Sequence, residues 1–155
     1  MGQAGQNDAT SLVFRAGVLL CALRLEEVIE TMRPLPTQPL AGTPACVLGI
    51  SILRGVPTPV VDVARLLGGG PATPTRFVAV ATERGPVAFA TGEVLGIRSA
   101  VADTGSQHPT LLGPAASGLV AGVGRIGTEP LLLLQSMRVV PDSVWEAAAG
   151  QAVAP

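Results

Sequence analysis

Short apolar runs alternate with turn residues along most of the chain, and this pattern predicts strands rather than long helices. The stretch 11–25 has two apolar runs around Ala16-Gly17, which predicts a β-hairpin. Further strands are predicted in 45–53, 56–62, 76–82, 85–91 and 93–101, and a last hairpin in 118–134. Many short strands at close spacing indicate an all-β fold, as one barrel or a pair of barrels.

Loops and short helices punctuate the predicted strands. The stretch "RPLPTQPLAGTP" contains four prolines and predicts a loop. Asp62 is a suitable N-cap for a short helix, "VARLL", which the glycines at 68–70 would end. Residues 1–10 are polar and predict a flexible leader, 11–140 one domain, and 141–155 a tail with a candidate helix.

Composition excludes several classes of partner. The net charge is −1, there is no Lys or Tyr, and aromatic residues make up 3% of the chain, so a nucleic-acid surface is not expected. No apolar run approaches the about 20 residues of a membrane span, and the start of the chain lacks a signal-peptide pattern. We therefore expect a soluble cytoplasmic protein without direct membrane insertion, in which Cys21 and Cys46 are buried thiols.

One segment has the letters of a nucleotide-binding motif. "GVGRIG" fits G-x-G-x-x-G at Gly122, Gly124 and Gly127, and a cofactor-binding protein is the alternative hypothesis. A dinucleotide site needs a helix that starts at these glycines, whereas "TEPLLLL" follows and predicts a strand. The cysteines and the single histidine lack metal-ligand spacing, and no catalytic constellation is recognisable. We expect no cofactor, no metal and no enzymatic activity.

A single Arg interrupts the apolar stretch "GISILRGVPTPVVDVARLLG". An unpaired charge among apolar residues would be costly, so Arg54 either faces water at a turn or has a carboxylate partner. Glu30, which follows Val28-Ile29, could fold back over the Pro-rich loop and meet it. Spacing alone leaves both interpretations open.

This stretch resembles the central signature of CheW-like domains, roughly G-x-x-N-L-R-G-x-x-x-P-V-x-D-L. The matching residues are Gly49, Leu53, Arg54, Gly55, Pro59, Val60 and Asp62. Upstream, "LVFRAGVLLCALRLEEVIE" is similar to the family's opening hairpin and V-x-E segment, where Val28 and Glu30 fall. The resemblance extends over about 11–140 and includes the later strand pair and the closing hairpin.

The resemblance implies a fold of two small, intertwined, five-stranded SH3-like β-barrels that share a core. It implies a non-enzymatic adaptor that couples the hairpin tip of chemoreceptors to the regulatory domain of a CheA-type histidine kinase. Such an adaptor is cytoplasmic and is recruited to membrane receptor arrays. By the same resemblance, Val28, Glu30 and Arg54 lie on the receptor side, with Glu30 and Arg54 as an interacting pair.

The chain departs from the family pattern at three places. Ile52 stands where the pattern has Asn, and Thr91-Gly92 replaces the usual Val-Asp before a later Glu-Val. The first hairpin turn is usually polar, but here it is followed by Val18, Leu19 and Leu20. Apolar residues at a turn predict that some of these three side chains pack or are covered, or that they form an exposed contact patch.

Overall fold

The computed structural model describes residues 7–70, 73–103, 119–135 and 140–153. Within these ranges the chain forms ten strands, two α-helices and a 3₁₀ turn, Leu25–Glu27. The strands are β1 Asn7–Ala16, β2 Leu19–Arg24, β3 Val28–Met32, β4 Val47–Leu53, β5 Val56–Asp62, β6 Arg76–Thr82, β7 Gly85–Thr91, β8 Val94–Asp103, β9 Val120–Ile126 and β10 Glu129–Leu134. The helices are α1 Val63–Leu66 and α2 Asp142–Val153. The expected all-β class is confirmed.

The strands form two five-stranded sheets. The first sheet has the order β1-β2-β10-β9-β8 and closes into a barrel, because β8 pairs with both β9 and β1. The second sheet has the order β3-β6-β7-β5-β4 and is built from one continuous segment, 28–91, which lies between β2 and β8 in the chain. Each sheet contains a hairpin whose second strand pairs in parallel with a later strand, β2 with β10 and β5 with β7.

The second sheet does not close by strand pairing, so of the two expected five-stranded barrels only the first is closed. β3 and β4 are its two edges, and a single bridge connects the chain beyond β3 to β4. In this bridge the amides of Gln38 and Ile50 donate to each other's carbonyls at 2.8 and 2.9 Å. The reason lies in the loop: Pro34 and Pro36 have no N–H to donate, so β3 cannot continue as a ladder along β4.

One apolar cluster joins the two sheets. It includes Phe14 of β1 and Leu134 of β10 from the first sheet, and Val61 of β5 and Phe89 of β7 from the second, all buried. We call this cluster the shared core. Because burial of apolar surface is the main favourable term in folding, the two sheets stabilise each other through it.

Both ends of the described chain are more ordered than the sequence suggested. β1 begins at Asn7, which pairs with Ala102 of β8, so residues 7–10 belong to a strand rather than to a flexible leader. Backbone pairing needs no apolar side chains, which is why the polar sequence concealed it. Near the other end, the expected helix forms as α2, with Val144 and Ala148 buried in the shared core.

A cluster of side chains fastens α2 to the turn between β6 and β7. The Arg84 Nη1 atom donates to Asp142 Oδ1 at 2.5 Å, and the Arg84 guanidinium lies 5.7 Å from the centroid of the Trp145 ring. A Cβ atom on Gly85 would lie 3.5 Å from that ring, so the helix packs closely on the turn. The segment assigned to a tail is therefore a packed element of the fold.

The structure also places Asp62 and the two cysteines. The Arg65 amide donates to Asp62 Oδ1 at 3.2 Å, which confirms Asp62 as the N-cap of α1. Cys21 and Cys46 are free thiols, but only Cys21 is fully buried, and Cys46 is half-buried. In the part of the chain that the structure describes, no helix is long and apolar enough to cross a membrane.

Replacement of Gly49 by Ala should strongly destabilise the fold. Gly49 has φ 143°, and a Cβ atom there would lie 2.0 Å from the Gln38 carbonyl oxygen, so the Gln38–Ile50 bridge could not form as it stands. We expect a loss of about 3 kcal/mol in the free energy of unfolding, measured in urea. Gly70→Ala is the control, because no atom lies within 4 Å of its added Cβ. Equal stability of the two variants would contradict the role of Gly49.

Candidate functional site

The predicted receptor-side residues lie on the two edges of the second sheet. Glu30 belongs to β3, and Arg54 lies in the turn between β4 and β5. β3 contains a β-bulge between Val28 and Glu30 in its pairing with β6. Half-buried and exposed residues still alternate along β3: Val28 packs half-buried against the shared core, Ile29 is exposed and Glu30 is half-buried.

Glu30 and Arg54 form a bidentate ion pair. The Arg54 Nε atom donates to Glu30 Oε2 at 2.5 Å, and Nη2 donates to Oε1 at 2.8 Å. The Arg54 side chain is 75% exposed and that of Glu30 is 25% exposed. Both interpretations of Arg54 therefore hold in part: it lies at a turn in contact with water, and it has the carboxylate partner proposed from the sequence. The pair also links the two edges that the sheet itself leaves apart.

The backbone at Arg54 is left-handed. Arg54 has φ 49° and Gly55 has φ 81°, and Leu53 pairs with Val56 across this two-residue turn. Positive φ at both central positions defines the tight turn that suits β-hairpins, for which Asn-Gly is favoured. In the described residues Arg54 is the only non-glycine with positive φ. An Arg in this conformation costs about 1 kcal/mol relative to a residue that tolerates it.

Each charge of the pair stabilises the other. The hydrogen bond from Arg54 lowers the pKa of the Glu30 carboxyl, and the hydrogen bond to Glu30 raises the pKa of Arg54. Burial opposes the effect on Glu30, because desolvation disfavours its charged form. Since the pair is at the surface, dissolved salt screens it.

Exposed apolar residues lie close to both charges of the ion pair in the sequence. Ile29, which precedes Glu30, is 51% exposed, and Ile52 and Val56, which flank Arg54, are 57% and 45% exposed. Large aliphatic side chains are normally found inside a protein, so the exposure of three of them within two residues of Glu30 or Arg54 in the sequence is informative. Ile52 replaces the Asn of the family pattern, and this departure adds to the apolar surface. We call Ile29, Ile52 and Val56 the apolar rim.

The patch predicted at the first hairpin does not exist as one exposed surface. Val18 is 90% exposed, but Leu19 packs half-buried against the shared core, and Leu20 is buried in a separate cluster of the first barrel. β2 begins at Leu19, so successive side chains point to opposite faces of the strand and Leu20 faces inward. Only Val18 remains as an exposed candidate from this set.

The "GVGRIG" segment does not form the geometry of a dinucleotide site. Gly122 and Gly124 lie in β9, and the chain passes through a turn at Gly127 directly into β10. A pyrophosphate would require the N-terminus of a helix at this point, and the structure has a strand there. Among the described residues, no group of three or more His, Cys, Asp and Glu side chains could hold a metal ion.

The sequence analysis did not predict two polar contacts, one made by Ser51 and one made by Arg15. Ser51, in β4, is buried and its hydroxyl bonds to the Pro-rich loop. Arg15 of β1 forms a bidentate pair with Glu129 of β10, in which Nη2 donates to Oε1 at 3.1 Å. The signal was available, because Ser51 and Arg15 are also single polar residues inside apolar runs, the criterion that singled out Arg54.

The geometry can be compared with known proteins. A family model described as the CheW-like domain matches residues 10–143. The chain belongs to the CheW-like domain family. Members of this family are chemotaxis scaffolds or adaptors rather than enzymes. A comparison with curated protein sequences found no match.

A solved structure shares the fold of this CheW-like domain. The crystal structure of the scaffolding protein TtCheW from Thermoanaerobacter tengcongensis matches it with a TM-score of 0.70 and 19% sequence identity. The match covers 85% of this chain and 92% of that one. The similarity shows a common fold. The family match ends at residue 143, so almost all of α2 lies beyond it.

Substitution of Arg54 should separate backbone strain from the ion pair. Arg54→Asn and Arg54→Ala both remove the contact with Glu30, but Asn tolerates left-handed backbone better than Ala. We expect the Asn variant to be more stable than the Ala variant by about 1 kcal/mol in urea unfolding. The same two substitutions at the exposed Arg125 of β9, which lacks positive φ, are the control. No difference between the Arg54 variants would contradict the assigned strain.

The ion pair should make stability depend on pH in the acidic range. Because Arg54 lowers the folded-state pKa of Glu30, the carboxylate stabilises the fold at pH values above its ordinary value of 4.5. This contribution is lost as the pH falls through the lowered pKa. The stability difference between the wild type and Glu30→Gln should therefore be present near neutral pH and disappear in acid, as measured by urea unfolding across a pH series.

A control and a salt series complete this pH experiment. Glu146→Gln removes an exposed carboxylate of α2 and controls for the loss of a negative charge. High salt should reduce the Glu30 effect, because screening weakens an exposed pair. A Glu30→Gln difference that is constant across the pH series would show that the two charges do not interact in solution.

Proposed function

We propose that this chain is an adaptor that couples chemoreceptors to a CheA-type histidine kinase in a bacterial chemotaxis-like array. Membership of the CheW-like family supports the general role of scaffold. The receptor's hairpin tip would bind at Val28, Glu30 and Arg54, and the regulatory domain of the kinase would bind elsewhere on the chain. The protein would act in the cytoplasm, where the membrane receptor arrays recruit it.

The observation that best supports the receptor side is an exposed Arg that holds Glu30 and has an exposed aliphatic residue two positions away on either side in the sequence. Arg is among the residues that contribute most of the binding energy at interfaces. The contacts that surround such a residue exclude water from it. Arg54 uses Nε and Nη2 to hold Glu30, and its guanidinium has five N–H donors in all, so donors remain for a partner. Glu30 fixes the guanidinium plane, which reduces the entropy lost on binding.

The partner chemistry follows from this surface. A helical receptor tip that presents aliphatic side chains to Ile29, Ile52 and Val56 would bury them, and a carbonyl or carboxylate oxygen near the centre would accept from Arg54. An interface of this kind must form and dissociate within an array, so we expect a dissociation constant in the micromolar range. A dissociation constant of about 1 μM corresponds to a binding free energy of about −8 kcal/mol.

Titration calorimetry with two purified partners tests the proposal. We expect the wild-type chain to bind both a soluble chemoreceptor hairpin and the regulatory domain of a CheA-type kinase from the same genome. Arg54→Asn should weaken receptor binding at least tenfold and leave kinase binding unchanged, because it removes the central donor and retains the turn. Arg125→Asn, on β9 of the first sheet, is the matched control.

Two results would overturn the proposal. If the wild type binds no receptor hairpin and no kinase domain from its own genome, the adaptor role is wrong. If Arg54→Asn and Arg125→Asn weaken receptor binding equally, the receptor does not bind at Arg54.

A further inference from the structure

The edges β3 and β4 must be held in register for Glu30 to reach Arg54, and no ladder does this. The sheet order places the two strands at opposite ends of the second sheet. We call the line along which they meet the seam. It runs from Glu30–Arg54 through Ser51 to Gln38–Ile50, and residue numbers rise on one side as they fall on the other. The seam therefore has the antiparallel sense of a strand pair with most of its hydrogen bonds missing.

Side-chain hydroxyls form the seam contact nearest to the ion pair. The Ser51 hydroxyl lies 2.9 Å from the Pro36 carbonyl oxygen and 2.8 Å from Thr37 Oγ1. Ser51 is three residues from Arg54 along β4, which is about 10 Å of strand. We call the contact of Ser51 with Pro36 and Thr37 the clasp.

The two hydroxyls of the clasp share their hydrogens among three contacts. Each hydroxyl has one hydrogen to donate. Ser51 can donate to the Pro36 carbonyl, Thr37 can donate to the Leu35 carbonyl at 3.1 Å, and either hydroxyl can be the donor between Ser51 and Thr37. In every arrangement the contacts across the seam go through the Ser51 hydroxyl. Loss of this hydroxyl would therefore remove the contacts of β4 with both Pro36 and Thr37.

The loop can transmit the position of the clasp to β3. Only three residues separate Met32, the last residue of β3, from Pro36, and one of them is Pro34. Proline fixes its own φ near −65° and restricts the residue before it, so this connection has few conformations. When Ser51 holds Pro36, the end of β3 is held as well.

We infer that Ser51 and Thr37 are positioning residues for the Glu30–Arg54 pair. They touch neither charge. They hold the Pro-rich loop on β4, and the loop holds β3 at the distance where Glu30 accepts both hydrogen bonds from Arg54. This inference deepens the receptor site and rests on the proposed function only for its effect on binding. Its effect on the pair exists without any partner.

The pKa of Glu30, followed by NMR of its side-chain carboxyl carbon, reports directly on the pair. In the wild type we expect a pKa below the ordinary value of 4.5. Ser51→Ala should move it toward that value, and Ser51→Thr, which restores a hydroxyl, should move it back. Thr43→Ala is the matched control, because the Thr43 hydroxyl bonds to the Leu40 carbonyl within the same loop at 3.2 Å and does not reach β4.

A double-mutant cycle and a second variant distinguish a positioning effect from general unfolding of the protein. The coupling between Glu30→Gln and Arg54→Asn, measured by unfolding, should fall in the Ser51→Ala background. If Ser51→Ala does not fold, Thr37→Val removes the second hydroxyl of the clasp with little change of shape and should also raise the pKa of Glu30. Fluorescence of Trp145, which packs on the turn between β6 and β7, reports whether each variant is folded.

The outcomes separate this inference from the proposed function. An unchanged Glu30 pKa in folded Ser51→Ala or Thr37→Val would overturn the inference, whatever the receptor does. A changed pKa with unchanged receptor affinity would support the positioning role and count against the receptor site. A changed pKa with weaker receptor binding, restored in Ser51→Thr, is the result we expect.

Discussion

The second sheet has two edges that must meet without a ladder between them, and the architecture on that side of the molecule depends on how they are held. The first sheet solves the same problem with an extended pairing of β1 and β8. The second cannot, because prolines follow β3 and remove the donors that a ladder would use. One backbone bridge, two hydroxyls and one ion pair take the place of the ladder. The candidate site is therefore part of the closure of the fold.

The Arg54 turn is not explained by stability. A solvent-exposed ion pair contributes little in water, and the left-handed backbone opposes the fold. Asn at this position would suit the turn better. A residue that is unfavourable for its own backbone, with exposed Ile52 and Val56 two positions away on either side, agrees better with selection for binding than with selection for stability.

The sequence reveals the parts of this structure that local pattern determines. Alternation of apolar and turn residues locates the strands, and the Asp62 cap and Arg54-Gly55 turn follow from residue chemistry. The Glu30–Arg54 pair needed the family resemblance, because spacing cannot tell which carboxylate a distant Arg meets. The patch predicted at Val18–Leu20 was wrong for Leu19 and Leu20 because both faces of β2 pack inside the protein, Leu19 on the shared core and Leu20 in the cluster of the first barrel. The parallel pairings and the docking of α2 depend on contacts between segments that are far apart in the chain. A local sequence pattern does not predict such contacts.

The strands of the second sheet are contiguous in the chain, whereas the strands of the first barrel lie on both sides of that segment. The two sheets therefore become complete at different times during synthesis. As residues leave the ribosome in order, β1 and β2 appear first, but their partners β8 and β10 are the eighth and tenth strands. The segment 28–91 emerges between them with all of its strand partners present. Because domains fold as their sequence becomes available, the nascent chain can form the second sheet before the first hairpin has its partner strands β8 and β10. The surface that carries Glu30 and Arg54 would then exist before the barrel beside it closes.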